Sequence, residues 1–289
     1  MRFSFFCSVI LVFLLNLRAA EPVSIDWTNG KQVQTGVLHI AFEVKTPRLM
    51  KVNILRIDLQ TPGMDFIATA RDPDWGKSMP DAPDYTIRTK RRKTRSFLKD
   101  ARKNGWNMIV AVNAAPWGPW RKPFNHKYAD PSAVNISNGE LISENPVRMP
   151  AFIIYNDGTP AIVPEVNKND YTKIKIAASG FSIVARNGKI VFQDDTLAPR
   201  TVYGISADRR YLFLMTVDGR QTEWSVGATT VEAGIWLLSA GASDVINMDG
   251  GGSTSMFYWD QKNDVPVALF HHANGYERSV ASNIGIVLK

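Results

Sequence analysis

Apolar residues in this chain alternate with polar ones or gather in short unbroken runs, and only two segments carry a helical spacing. Residues 37–42, 52–58 and 66–69 are rich in β-branched and aromatic side chains and are punctuated by Thr46-Pro47 and Thr61-Pro62-Gly63, so they predict strands. Residues 72–85 carry Pro73, Pro80 and Pro83 among aspartates and predict a loop. Residues 94–104 predict a helix, with Phe97, Leu98 and Ala101 on its apolar side and Asn104-Gly105 as its stop. An apolar strand over residues 108–112 follows and ends at Asn113.

Asn138-Gly139, Asn156-Asp157-Gly158 and Asn187-Gly188 each stand between β-rich runs, the strongest short-range hairpin signal. A further hairpin joins residues 202–205 to 211–217 through Asp208-Arg209-Arg210. The second helix covers residues 229–239, capped by Thr229 or Thr230, with Val231, Ile235, Trp236 and Leu238 apolar and Gly241 as its stop. Strands are expected over residues 244–248, 253–259 and 279–288. Strands outnumber helices and most neighbours are joined by tight turns. The pattern therefore predicts an α+β fold, a mainly antiparallel or mixed β-sheet with a few helices, in a single compact catalytic domain.

Met1 and Arg2 precede an apolar run over residues 3–17, and Arg18-Ala19-Ala20 follows. This predicts a signal peptide over residues 1–20, an exported product, periplasmic or secreted, and no later membrane span; an uncleaved N-terminal anchor is the alternative. Cys7 is the only cysteine, so a mature chain has neither disulfide nor thiol nucleophile. The formal charge of +7 falls to +5 without Arg2 and Arg18, a mild excess compatible with an anionic substrate. The densest basic run, Lys90-Arg91-Arg92-Lys93-Thr94-Arg95, has no interleaved aromatics and reads as the solvated start of the first helix; nucleic-acid binding is not expected.

The best candidate for chemistry is Asn247-Met248-Asp249-Gly250-Gly251-Gly252-Ser253-Thr254-Ser255. A buried strand with period two places Asn247 and Asp249 on one face at its end. Gly250, Gly251 and Gly252 then let the backbone turn sharply and approach a ligand, with Ser253 and Thr254 adding hydroxyls suited to an anionic oxygen cluster. The run is not a P-loop, a hydrolase nucleophile elbow or an EF-hand. Arg200, Arg220 and Arg278 are candidate anion ligands, because a guanidinium binds phosphate bidentately. Of the four histidines, His271 and His272 are adjacent and read as a solvated loop, and no His-Glu-x-x-His zinc pattern occurs.

The Val245-Ile246-Asn247-Met248-Asp249-Gly250-Gly251-Gly252-Ser253 run resembles the Asn-Leu-Asp-Gly-Gly-Gly-Ser signature of the phosphodiester glycosidase domain. Four further blocks are similar in the same order: Ala178-Ser179-Gly180-Phe181 with Asn187-Gly188, Pro199-Arg200-Thr201-Val202-Tyr203-Gly204, Val217-Asp218-Gly219-Arg220, and Glu277-Arg278-Ser279-Val280-Ala281-Ser282-Asn283. The likeness runs from residue 105 to 289, which leaves residues 21–104 as an N-terminal β-rich part without a matching motif. The family's Val-Asn-Gly-Gly-Phe-Phe stands here as Val112-Asn113-Ala114-Ala115-Pro116-Trp117, with both glycines replaced.

The resemblance implies hydrolysis of a sugar-1-phosphodiester, or of a phosphorylated glycan, at the bond between the anomeric carbon and the bridging oxygen, with no cofactor and no demanded metal. Arg200 and Arg278 are then expected to hold the phosphate, and Asp249 to act at the anomeric centre. Asp218 and Glu277 are the further carboxylates. Asn113, Asn247, Ser253, Thr254 and the three glycines are expected to contact substrate. A non-catalytic polysaccharide-binding protein on the same fold and a phosphodiesterase cutting the P–O bond are the alternatives.

Overall fold

The computed structural model describes residues 23–273 and 275–289, so the signal-peptide segment lies outside the described residues. Three antiparallel sheets converge on one apolar core. The largest has eight strands, in the spatial order Lys31–Gln34, Val37–Val44, Met50–Asp58, Tyr211–Val217, Arg200–Ile205, Asp244–Asn247, Ser182–Arg186 and Lys189–Ile190. A five-stranded sheet comprises Val265–Ala268, Met256–Asp260, Met108–Asn113, Asn283–Leu288 and Met64–Ala68. The third, also five-stranded, lies across Val134–Ser137, Ala151–Tyr155 and Ile174–Ser179. All the pairings are antiparallel, as tight turns between short alternating runs require.

Period two decides which side chains enter the core. In Arg200–Ile205, Tyr203 and Ile205 point between the sheets, while Val202 joins the cluster under the second helix. That helix, Thr230–Ser239, closes the outer face of the large sheet, and the first, Thr94–Lys103, covers the five-stranded sheet through Phe97, Leu98 and Ala101. Thr229 caps the second helix in a capping box with Glu232, and Gly241 ends it at φ 107°. Its buried residues include Ala233, Trp236 and Leu237; of the side chains expected to form the apolar stripe, Val231, Ile235 and Leu238 are only partly buried. The segment is apolar nearly all round, so composition did not distinguish its faces.

Two of the three expected Asn/Gly turns have both central residues left-handed, Asn138-Gly139 at 51° and 78° and Asn187-Gly188 at 49° and 75°, as a two-residue hairpin demands. The predicted loop over residues 72–85 differs, since it contains a small hairpin of Ser78–Met79 with Ala82–Thr86. Strands this short carry no readable period. A three-stranded ribbon of Thr89–Lys90, Tyr128–Pro131 and Trp117–Gly118 was likewise not expected. The part before residue 105 is woven into both main sheets: Met50–Asp58 pairs with Tyr211–Val217, and Met64–Ala68 with Asn283–Leu288. No helix among the described residues is long and apolar enough to cross a membrane.

Candidate active site

The glycine turn leaves the end of Asp244–Asn247, a strand buried at every position between Ser182–Arg186 and Arg200–Ile205. Met248 points into the core, so Asn247 and Asp249 reach the same side, as period two requires. Both line a cleft of about 490 Å³ whose walls also carry Trp117, Trp120, Phe181, Arg200, Arg220 and Arg278. Among the described residues Asn247 Oδ1 and Asp249 Oδ2 are buried there without a hydrogen-bond partner, and the indole Nε1 of Trp117, turned towards the Asp249 carboxyl, closes no hydrogen bond either. Buried polar atoms are ordinarily paired, so three unpaired ones around one cleft mark where a polar ligand or water completes the set. Burial pushes the Asp249 carboxyl up to about 7, against the opposing pull of the Ser253 hydroxyl, the Arg278 guanidinium and the Trp117 indole.

The three glycines do different work from that expected. A Cβ on Gly251, which has φ 58°, would sit 3.1 Å from Arg220 Nη1. One on Gly252 would overlap the Arg278 guanidinium, and one on Gly250 would meet the Pro199 carbonyl oxygen at 2.8 Å. Lack of side chains therefore admits protein groups first, bringing two guanidinium groups against consecutive residues of the turn. Arg278 also reaches the Ser253 hydroxyl, at 3.5 Å from Nη1.

Arg200 lines the same cleft, but its guanidinium is already committed. Nε donates to the Ala228 carbonyl oxygen at 2.9 Å, Nη2 donates to that of Thr196, and Asp194 lies 3.6 Å away. It braces the loop ahead of its own strand. Arg220 takes its place beside Arg278, in a left-handed conformation with φ 61°.

Asn113 was expected to touch substrate, yet it has no exposed surface. Its Nδ2 donates to the Asp249 carbonyl oxygen at 2.6 Å, and its Oδ1 accepts from Thr201 Oγ1 at 2.8 Å and from the Ser255 amide at 3.0 Å. Its role is to fasten the turn to the neighbouring sheet. Ala114 and Ala115, which replace the family's glycines, are packed in the core, and the loop meets the cleft through Pro116 and Trp117 instead.

Neither Asp218 nor Glu277 lines the Asp249 cleft. Asp218 accepts from the His271 amide at 2.8 Å and from the Trp224 indole at 2.7 Å, and borders a separate hollow of about 20 Å³, roughly the room one water needs, that Gly251, Gly252 and Arg278 also line. Thr254 lines that hollow too, its buried hydroxyl oxygen unpartnered. Glu277 accepts from the Arg95 amide at 2.9 Å and the Ser255 hydroxyl at 3.2 Å, which ties the C-terminal segment to the start of the first helix. Burial raises both carboxyls.

The basic run is solvated at Lys90, Arg92, Lys93 and Arg95, as expected, but not at Arg91. Arg91 is buried, donates to the carbonyl oxygens of Phe124, His126 and Ser279, and lies 4.5 Å from the Trp117 ring centroid. Burial and the nearby Arg278 lower its pKa to about 10. Among the described residues no cluster of three or more His, Cys, Asp or Glu is placed to hold a metal ion.

Fold and cleft together define a β-rich protein that presents guanidinium groups and one buried carboxylate at a glycine turn, an arrangement for an anionic ligand. Residues 107–287 match the phosphodiester glycosidase family model, and the chain belongs to that family. Its fold is similar to that of the zebrafish N-acetylglucosamine-1-phosphodiester alpha-N-acetylglucosaminidase catalytic domain, auto-inhibited by its pro-peptide, with a TM-score of 0.62 and 17% identity over 92% of this chain and 87% of that one. A hypothetical protein from Synechocystis is similar at a TM-score of 0.59 and 12% identity, over 91% and 65% of the two chains. A protein from Burkholderia pseudomallei K96243, described as exported, gives 0.56 and 13%, over 83% and 74%. No curated protein matches the chain at a significant level.

Proposed function

We propose that the chain is an exported hydrolase that cleaves the glycosidic bond of a sugar-1-phosphodiester and releases the sugar and a phosphomonoester. The observation that carries this reading is Asp249: a buried carboxyl raised to about 7, with an unpartnered oxygen, sharing one cleft with Arg220 and Arg278. Arg278 and Arg220 hold the phosphodiester anion at Gly251 and Gly252 and stabilise the charge that gathers on the leaving oxygen. Asp249, ionised, takes a proton from water as the water oxygen bonds to the anomeric carbon. The bond from that carbon to the bridging oxygen breaks, and its electron pair stays on the phosphate. A phosphomonoester is a good leaving group at neutral pH, so no second carboxyl need protonate it. The carboxamide of Asn247 orients the reacting groups.

The purified protein is to be incubated with a defined glycosyl phosphodiester, beside Asp249→Asn, and the products separated. Free reducing sugar that disappears in the variant supports the proposal. Sugar phosphate means P–O cleavage instead, and binding without product means a non-catalytic glycan-binding protein.

A further inference from the structure

Arg278 is held in an unusual way for an arginine at an anion site. Among the described residues its guanidinium makes only the long contact to Ser253, and no carboxylate lies within ion-pair distance. Instead it lies over two aromatic rings, 5.1 Å from the Trp120 centroid and 4.8 Å from that of Phe124. The open side of Gly252 receives it from the other direction. The two rings pack on each other with centroids 4.7 Å apart, and Trp117 lies edge-on to both at 5.4 and 6.0 Å. Arg91 fixes this assembly from behind, through Trp117 and the Phe124 carbonyl. Trp120 nevertheless remains 58% exposed on the wall of the cleft, a position a tryptophan keeps at a hydrophobic cost.

A ring face attracts a cation without neutralising it, whereas a carboxylate in the same place would compete with the ligand anion. We propose that Trp120 and Phe124 are positioning residues for Arg278: they fix its guanidinium beside the glycine turn while leaving its charge and donors available to the anion. The inference rests on the phosphodiester reading of the cleft, but it concerns anion binding and can be tested without turnover.

The test is a double-mutant cycle on the full chain, read as the affinity for inorganic phosphate by titration calorimetry, with thermal unfolding as a check on folding. Trp120→Ala should weaken phosphate binding roughly tenfold, the range of a partly desolvated cation–π contact, and Trp120→Phe should recover most of it. In an Arg278→Ala background Trp120→Ala should cost nothing further. An equal loss with Arg278 absent would show that the ring meets the ligand directly or merely supports the fold. No loss in the parent chain, or no phosphate binding by the parent chain, would also overturn the inference. Phosphate binding that follows the cycle in a protein without hydrolysis leaves the positioning role standing and removes the hydrolase. Hydrolysis indifferent to Trp120 does the reverse.

Discussion

The side-chain amide of Asn113 donates to the backbone carbonyl oxygen of Asp249 across 2.6 Å, joining the end of a strand in one sheet to the turn that leaves another. The carboxyl of Asp249 is thus placed by a residue that ligand cannot reach. Asn113→Ala should unfold at lower temperature, by an amount matching roughly 2–4 kcal/mol, because it strands the Thr201 hydroxyl, the Ser255 amide and the Asp249 carbonyl together. Calorimetric unfolding checks this, and turnover should fall with the loosened turn.

The ionisation of Asp249 has two consequences of known sign. If it is the base, kcat/KM should rise as pH increases through about 7, and a profile that falls there would assign it as an acid. For stability, the folded pKa lies above that of the unfolded chain. The native state therefore holds its proton more tightly, and this group's contribution is fully present below about pH 4 and is lost as pH rises towards 7. Asp249→Asn should then be inactive yet more stable than the parent at pH 8, by up to about 4 kcal/mol, with the difference vanishing near pH 4.

The glycines separate ligand effects from folding effects. Gly252→Ala pushes against the Arg278 guanidinium rather than against backbone, so it should lower turnover about tenfold or more by misplacing that group, with little change in unfolding temperature. Gly250→Ala pushes against the Pro199 backbone carbonyl and should destabilise the protein outright. Assay and melting curve measured on both variants decide the matter.

Arginine truncations should sort by what each guanidinium already holds. Arg200→Ala should mainly lower the unfolding temperature, since it frees the carbonyls of Thr196 and Ala228. Arg220→Ala should leave that temperature nearly unchanged and reduce kcat/KM by two orders of magnitude or so, as loss of a donor to a developing anion does elsewhere. Glu277→Gln and Asp218→Asn should keep kcat within severalfold, because neither carboxyl lines the cleft.

What sequence reading reached was set by the range of the forces involved. The Asn138-Gly139 and Asn187-Gly188 turns and the cap at Thr229 are dictated by residues a few positions apart, and they were legible. So was the common side of Asn247 and Asp249, which follows from strand period alone. Arg200 and Arg220 both flank β-rich runs, and nothing local shows that the carbonyls of Thr196 and Ala228 occupy one and leave the other free. Asn113 read as a ligand because buried amides and ligand-binding amides look alike until their partners are known. Nothing local assigns a role to Trp120 or Phe124, since their value depends on Arg278, far along the chain.

The pairing of Met64–Ala68 with Asn283–Leu288 joins the C-terminal strand to one in the first quarter of the sequence. A ladder closed over such a separation forms slowly, because the intervening chain must be ordered before the ladder repays its entropy. Arg278 lies only a few residues ahead of the closing strand and meets Gly252 only when that strand is docked. On the proposed reading, competence to bind an anion should therefore come late in folding, after the glycine turn, when the closing strand brings the cation that completes it.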